Sequence, residues 1–456
     1  MIVVKFGGTS VQDSEAIART AAIIQGRLER QPVVVVSALA GTTNRLIEIA
    51  EHSAKGELIV ALAILEELRT RHFATISELL GGHETESDVA AEVGAMFDEL
   101  AHLAEALSVL GDLTNRSHDA VASMGERLSA PIVTAAMQRA GLPAEFVDSR
   151  DVMITGDDYG RATPLPDDIA IACREHLAPL LREGKVPVMG GYIGSTRGGV
   201  TTTLGRGGSD FSASLFGAAM EAEAIEIWTD VDGMLTADPR VVPDAQLIGH
   251  IRFDEAAELA NFGAKVLHPS TITPAVKRGI PVFIFNSRRP EGTGTRITFD
   301  APRAPVRAIA GKTRTVVVKI RSPRMLATPG ALRAIFEVFE RNRTSVDVVA
   351  TSEVSVSVTL DDDQHLEAVV AQLSTFGDVS VERHRGIVAL VGAGLGESTE
   401  TMARALKALG ELRLYMVSLS ATGINLTLIV DGDQVNEAMR RLHTEFFGAA
   451  AAVSAA

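Results

Sequence analysis

The sequence predicts an α/β fold over its first 300 residues or so, followed by two small α+β units. Three observations carry that expectation. Short β-branched runs alternate with helical stretches up to about residue 300, the order in which helices cover a sheet. The runs are continuously apolar rather than alternating, as strands buried on both faces require. Beyond that point a strand, helix, strand, strand order occurs twice, about 70 residues apart, which marks tandem modules.

In chain order, Ile2–Phe6 and Pro32–Val36 are the first two strands. Each runs into a small-residue turn, Gly7-Gly8-Thr9-Ser10 and Ser37-Ala38-Leu39-Ala40-Gly41-Thr42-Thr43. Residues 55–110 are rich in Ala, Leu and Glu with few breakers, so a helical insertion is expected there. Glu145–Val147, Val186–Tyr192, Ala224–Thr229 and Pro281–Asn286 are further strands, and Thr201–Leu204 is the second arm of a hairpin begun near Tyr192. Pro302 and Pro305 mark a linker. The first C-terminal unit then comprises strand Val316–Ile320, helix Leu332–Arg341 and strands Ser345–Ala350 and Val354–Leu360. The second comprises Ile387–Val391, helix Thr401–Leu409, Tyr415–Ser420, Ile424–Val430 and a closing helix Gln434–Thr444, with a frayed tail at Ala449–Ala456. Domain limits are therefore set at 1–300, 301–385 and 386–456. The short C-terminal strands leave edges that call for a partner, so a homodimer or tetramer built through residues 305–450 is expected.

Composition narrows the function. The chain has 456 residues, 46% hydrophobic and 22% charged, which suits a globular protein of two or three domains. A net charge of −15 with no long basic run argues against a nucleic-acid partner. No apolar run approaches the roughly 20 residues of a membrane helix. The single cysteine, Cys173, excludes an internal disulfide and a cysteine metal cluster, and no metal-ligand set is expected. Met1-Ile2-Val3-Val4-Lys5 has no charged segment ahead of an apolar one, so the expected location is cytoplasmic.

The strongest candidate for chemistry is Gly205-Arg206-Gly207-Gly208-Ser209-Asp210, just ahead of the helical run Phe211–Ala219. The glycines let backbone approach an anion, the helix start offers free N–H groups, and Arg206 supplies a planar fork for a carboxylate or phosphate. A tight turn that happens to carry Arg and Asp is the plainer alternative. Lys5-Phe6-Gly7-Gly8-Thr9-Ser10 is similar in kind, a strand-end lysine opening on glycines where open α/β sheets bind ligands. A Walker A spacing occurs nowhere. Trp228-Thr229-Asp230-Val231-Asp232-Gly233 and Thr236-Ala237-Asp238-Pro239-Arg240 are turn chemistry or one wall of a nucleotide pocket. Gly392-Ala393-Gly394-Leu395-Gly396 lacks the spacing of a dinucleotide fingerprint and is a loop.

These segments, with Gly125-Glu126-Arg127-Leu128-Ser129 and Phe262-Gly263-Ala264-Lys265-Val266-Leu267-His268-Pro269, resemble in order and spacing the signature segments of the aspartokinases. The doubled C-terminal unit resembles that family's paired ACT domains, so the likeness spans essentially the whole chain. It implies a three-layer αβα sandwich around a mostly parallel sheet, ATP with Mg²⁺ as cosubstrate, and L-aspartate as acceptor. It also implies roles. Lys5 sits on the phosphoryl group with Asp210 orienting it, and Gly7 and Gly8 donate N–H groups. Arg206 clamps the substrate α-carboxylate, Glu126 holds its ammonium, and Ser37 and Thr43 touch the acceptor side. Gly207, Gly208, Ser209, Thr229, Asp230, Arg240 and Lys265 line the nucleotide pocket. Leu235 stands where many relatives carry Tyr.

Val346-Asp347-Val348-Val349-Ala350-Thr351-Ser352-Glu353 resembles the lysine-sensitive branch, which implies feedback inhibition by L-lysine at Met325, Thr328, Leu332, Val346, Asp347, Ser352 and Glu353. Ala331 departs from that branch, whose members usually carry Phe there. Two rival readings are a glutamate or N-acetylglutamate kinase of the same fold and a non-catalytic amino-acid sensor. The first lacks the doubled C-terminal unit, and the second has no need of Lys5, Glu126, Arg206 and Asp210 together.

Overall fold

All five residues of Ile2–Phe6 (β1) and of Pro32–Val36 (β2) are buried, which places both strands in the middle of a sheet. The computed structural model describes residues 1–262, 269–322 and 329–448. The chain forms two units, Met1–Met234 with Val266–Asp300, and Leu235–Lys265 with Ala301–Ala456. The division thus differs from a single cut at residue 300, because 235–265 joins the C-terminal unit.

In the first unit β1 and β2 are joined by α1 (Ser14–Gln25). After β2 come α2 (Thr42–Ala54), α3 (Leu58–Leu80), α4 (Glu86–Leu110), α5 (Asn115–Ala122) and α6 (Met124–Arg139). The chain continues through β3 (Ala144–Phe146), β4 (Ile154–Thr155), α7 (Pro166–Ala172), α8 (Ala178–Arg182) and β5 (Val186–Gly190). β6 (Ile193–Thr196), β7 (Thr201–Thr203), α9 (Gly208–Ala219), β8 (Ala224–Thr229) and strands Val282–Asn286 and Thr295–Thr298 complete it. The main sheet runs β3, β5, β2, β1, β8, Val282–Asn286, Thr295–Thr298. Every pairing in it is parallel except the last. Helices cover this mostly parallel sheet as a three-layer αβα sandwich, and its core gathers Val4, Phe6, Val34, Ile17, Leu128 and Trp228. The expected helical insertion is the hairpin of α3 and α4. The expected hairpin at Tyr192 exists as β6 and β7, but it leaves the main sheet and pairs with β4. Among the described residues no helix is long and apolar enough to cross a membrane.

The second unit is built on one antiparallel sheet in the order Val349–Ser352, Ser355–Leu360, Ala308–Arg321, Asp378–Val391, Asn425–Asp431, Met416–Leu419. Its two central strands are 14 residues long and serve both halves of the unit. Val316–Arg321 pairs with Ser355–Leu360, whereas Ala308–Lys312 pairs with Ile387–Val391 in the other half. The halves therefore interlock: a strand that precedes the first completes the second. Helices Ala331–Arg341 and Leu366–Leu373 pack on the first half around Ile335, Phe339 and Val369. Thr399–Leu409 and Val435–Phe447 pack on the second around Leu409, Leu428 and Met439. Segment 235–265 contributes Ala237 and Val242 to that second core, and Thr236 Oγ1 lies 2.9 Å from His443 Nε2.

Candidate active site

The carboxyl ends of β1 and β2 open on one cavity of ≈ 580 Å³ in the first unit. Lys5, one residue from the end of β1, is buried, and its Nζ lies 2.6 Å from Asp210 Oδ1 in the first turn of α9. Ser37 follows β2 and donates its N–H to Phe6 O at 3.1 Å. Gly41, at φ 82°, turns the chain into α2, which brings Thr43, Asn44 and Ile47 to the wall. α6 brings Glu126. It approaches the Ser37–Ala40 turn so closely that a Cβ on Gly125 would stand 2.8 Å from Ala38 Cβ. Ser129 Oγ fixes the contact by donating to Ser37 O at 2.8 Å. Gly205 and Gly207, at φ 77° and 73°, make the left-handed steps that start α9, and a Cβ on Gly208 would stand 2.5 Å from the Tyr192 ring. Lys5, Ser37, Thr43, Glu126, Arg206, Gly207, Gly208, Ser209 and Asp210, named from the sequence, thus share one cavity.

Its electrostatics are uneven. Burial pushes the Glu126 carboxyl up to about 8, against the pull of the Ala38 backbone and the Lys5 charge. Among the described residues Glu126 Oε2 has no hydrogen-bond partner. Arg206 is exposed in the wall and pairs with no carboxylate among the described residues. A cationic group suits Glu126, and an anionic one suits Arg206 and the α9 N–H groups. The sequence reading missed Asn44, Ile47, Gly160 and Tyr192 in the lining. Tyr192 holds a left-handed φ of 65°, donates its N–H to Ser212 Oγ, and has its hydroxyl pushed up to about 12 by burial. Gly160 is set in place by Asp119, fully buried, whose Oδ2 accepts the Gly160 N–H at 2.8 Å and the Thr203 N–H at 3.0 Å.

Comparison with known proteins decides the family. Residues 1–286 match the amino acid kinase family and residues 388–446 the ACT domain. The lysine-sensitive aspartokinase 3 of Escherichia coli K12 is 36% identical over 98% of this chain and 99% of its own. The chloroplastic aspartokinase 3 of Arabidopsis thaliana is 37% identical over 98% of this chain and 81% of its own. The crystal structure of E. coli aspartokinase III with aspartate and ADP superposes with a TM-score of 0.85, at 36% identity over 98% of this chain and all of that one. The chain belongs to the aspartokinases. Aspartokinases phosphorylate aspartate, and this protein is an enzyme of that class. The E. coli enzyme has also been solved with lysine and aspartate, and that structure superposes with a TM-score of 0.82.

Other residues expected of an aspartokinase lie beside the cavity or elsewhere. Gly7 spends its N–H on Trp228 O at 2.9 Å, so it is not free for a ligand as expected. A Cβ on Gly8 would stand 3.0 Å from Ala38 O. Thr229 ends β8 beside them, and its Oγ1 donates to Asp230 Oδ1. Ser10 Oγ and Ser287 Oγ tie these strand ends at 2.8 Å. Arg240 belongs to the second unit, where it pairs with Asp238 at 2.6 Å, and Leu235 bridges to Leu247. Lys265, Met325 and Thr328 lie outside the described residues. Of the expected sensor residues, Leu332, Ser352 and Glu353 are exposed and Val346 is half-buried. Ser352 Oγ is 2.7 Å from Ser355 Oγ. The Asp347 carboxylate is engaged within the protein, 3.7 Å from Lys312 Nζ, while burial and neighbouring Asp361 push it up to about 6.

Proposed function

We propose that the protein moves the γ-phosphoryl group of ATP onto the side-chain carboxylate of L-aspartate, with Lys5 and Asp210 at the phosphoryl group and Glu126 and Arg206 on the amino acid's α-substituents. One observation carries this reading. A buried carboxyl with an unpartnered oxygen, an unpaired guanidinium and a Lys–Asp pair face the same cavity. The acceptor has a reference pKa of about 3.9, so it arrives as a nucleophile and needs no base. What the site must supply is alignment and neutralisation of the transferring charge. Lys5, held by Asp210, is one fixed cation for that purpose, and the N–H groups at the start of α9 add to it. Among the described residues no cluster of three His, Cys, Asp or Glu side chains is arranged as a metal cage. Mg²⁺ would enter with the nucleotide, held chiefly by its phosphates rather than by a protein cage, and would supply neutralisation of their charge beside Lys5 and Asp210.

The reading extends to regulation and assembly. Feedback by L-lysine through Met325, Thr328, Leu332, Val346, Asp347, Ser352 and Glu353 is supported by the likeness to the lysine-sensitive enzyme of E. coli. A homo-oligomer through the second unit is supported by its exposed edge strands. The limits 301–385 and 386–456 are kept for the two ACT-like units, with the central strands shared between them.

The test is hydroxamate-trapped acyl phosphate from ATP and Mg²⁺ with L-aspartate, L-glutamate or N-acetyl-L-glutamate. Product from aspartate with far less from glutamate is expected, since one extra methylene misplaces the acceptor once both α-substituents are fixed. Equal turnover of glutamate, or activity only with the N-acylated acceptor, overturns the reading.

A further inference from the structure

Asp119 lies in α5, fully buried behind the wall of the kinase-unit cavity rather than in it. Three donors converge on its carboxyl. Oδ2 accepts the N–H groups of Gly160 at 2.8 Å and Thr203 at 3.0 Å, and Oδ1 accepts the Thr203 hydroxyl at 2.6 Å. Apolar packing would fill this space without the cost of desolvating a polar group, so the use of the carboxyl lies in what it holds in register.

What it holds is the opposite side of the site. Gly160 lines the cavity itself, and Thr203 ends β7, three residues before Arg206. These two segments are also tied to each other. Ala162 donates its N–H to Thr203 O at 2.8 Å, and a Cβ on Gly205 would stand 3.3 Å from Gly160 O. On the near side, only Ser123 separates α5 from α6, whose first turn carries Glu126. One buried side chain thus joins the helices that present Glu126 to the block that presents Arg206.

We propose that Asp119 is a positioning residue that sets the span between Glu126 and Arg206, and so selects aspartate over the longer glutamate. The inference rests on the assignment of those two side chains to the substrate's ammonium and α-carboxylate. The phosphoryl end is anchored separately. α9 packs on β1 and on helix Thr273–Arg278, where Ser214 Oγ accepts the Ala275 N–H at 3.1 Å. Loosening the Asp119 clamp therefore acts on how the amino acid is held rather than on the transfer.

Asp119→Asn is the test, because it keeps the shape and changes the chemistry. One acceptor becomes a donor, and the remaining neutral oxygen holds the two N–H groups about half as firmly as a carboxylate does. Hydroxamate assays on the full-length protein give kcat and KM for aspartate, glutamate and ATP in the native enzyme and the variant. We expect aspartate KM to rise about tenfold or more, with kcat and ATP KM changed by less than about threefold. Glutamate, which does not fit the native span, should change little, so the preference for aspartate in kcat/KM falls about tenfold. A residue that served stability alone would lower Tm and leave the aspartate KM and the preference where they are. Either of those unchanged, or a rise in ATP KM that matches the rise for aspartate, overturns the inference. A native enzyme that uses glutamate as well as aspartate overturns the acceptor reading itself, and this inference with it. Should Asp119→Asn not fold, Thr203→Val removes the hydroxyl bond alone. It must then raise aspartate KM about threefold or more at constant ATP KM, and no rise overturns the assignment.

Discussion

Glu126 carries a charge problem that only a ligand resolves. Its carboxyl is buried with one oxygen unpartnered, and burial raises it to about 8, so at pH 7 the free protein holds it mostly protonated. An ammonium requires the ionised form, so aspartate binding near pH 7 should release a proton and tighten as pH rises towards 8. Calorimetry in buffers of different ionisation enthalpy should show a slope near one proton released at pH 6.5, vanishing above pH 9 and in Glu126→Gln. A slope of zero at pH 6.5 in the native enzyme would detach Glu126 from the ammonium. The linkage also sets a stability trend. Between the unfolded value of 4.5 and the folded value near 8 the native state binds the extra proton, so this residue's contribution to stability declines as pH rises. Arg206 and Lys5 separate by kinetics. Arg206→Ala should lose about 2–4 kcal/mol in kcat/KM through aspartate KM, with little rescue by Lys, which lacks the fork. Lys5→Ala should lower kcat by about 10²–10³-fold instead, as a charge aimed at the transition state does. An unchanged aspartate KM in Arg206→Ala, or a Lys5→Ala defect confined to KM, would reassign them. Sequence reached these side chains because each sits in a distinctive string. Tyr192 and Asn44 escaped because nothing local marks them: Tyr192 lines the cavity through an unusual φ, and Asn44 because α2 turns one face inward.

At the scale of elements, glycines decide where the helices stand. A Cβ on Gly125 would stand 2.8 Å from Ala38 Cβ, and one on Gly208 3.0 Å from Tyr192 Cα. Gly125→Ala and Gly208→Ala should each cost about 1–3 kcal/mol of stability from overpacking, although alanine is the better helix former. Each should also raise aspartate KM, because α6 carries Glu126 and α9 carries Asp210. Chemical denaturation with steady-state kinetics checks both, and stabilised variants with native KM would refute the packing argument. The first unit's strands were legible because buried parallel strands are unbroken apolar runs. The regulatory unit was legible only in pieces. Thr313-Arg314-Thr315 interrupts the apolar pattern where the strand kinks, so the sequence marks one short strand at Val316–Ile320 while the backbone continues from Ala308 to Arg321. Asp378-Val379-Ser380-Val381-Glu382 alternates polar and apolar, the period-two signal of a half-buried strand, and runs without a break into Ile387–Val391. Helix Leu366–Leu373, only 8 residues long, is too short for periodicity to declare.

For the whole molecule, the question is what covers the regulatory sheet. Its edge strands are Val349–Ser352 and Met416–Leu419, and they approach each other closely enough to share a surface. The two edges carry three aliphatic side chains, Val349, Val417 and Leu419, and the turn after the first carries a fourth, Val354, all between 38% and 43% exposed. Scattered single residues of this kind need no explanation, but a group on two open edges does. Strand edges of one copy can pair with those of another under two-fold symmetry, the commonest way a chain closes on itself. The expected state is a dimer, or a tetramer formed from dimers. Light scattering at micromolar concentration should give a mass at least twice that of the chain. Val349→Lys with Val417→Lys should shift it to the monomer by placing charge on both edges. Any coupling between effector and aspartate affinity must be reciprocal, so lysine should weaken aspartate binding by the same factor that aspartate weakens lysine. If that coupling is transmitted through the dimer, the lysine-charged variant should keep kinase activity while lysine inhibition weakens. A native protein that is monomeric at micromolar concentration would rule out assembly through these edges, and inhibition unchanged in the monomeric variant would place the coupling within one chain.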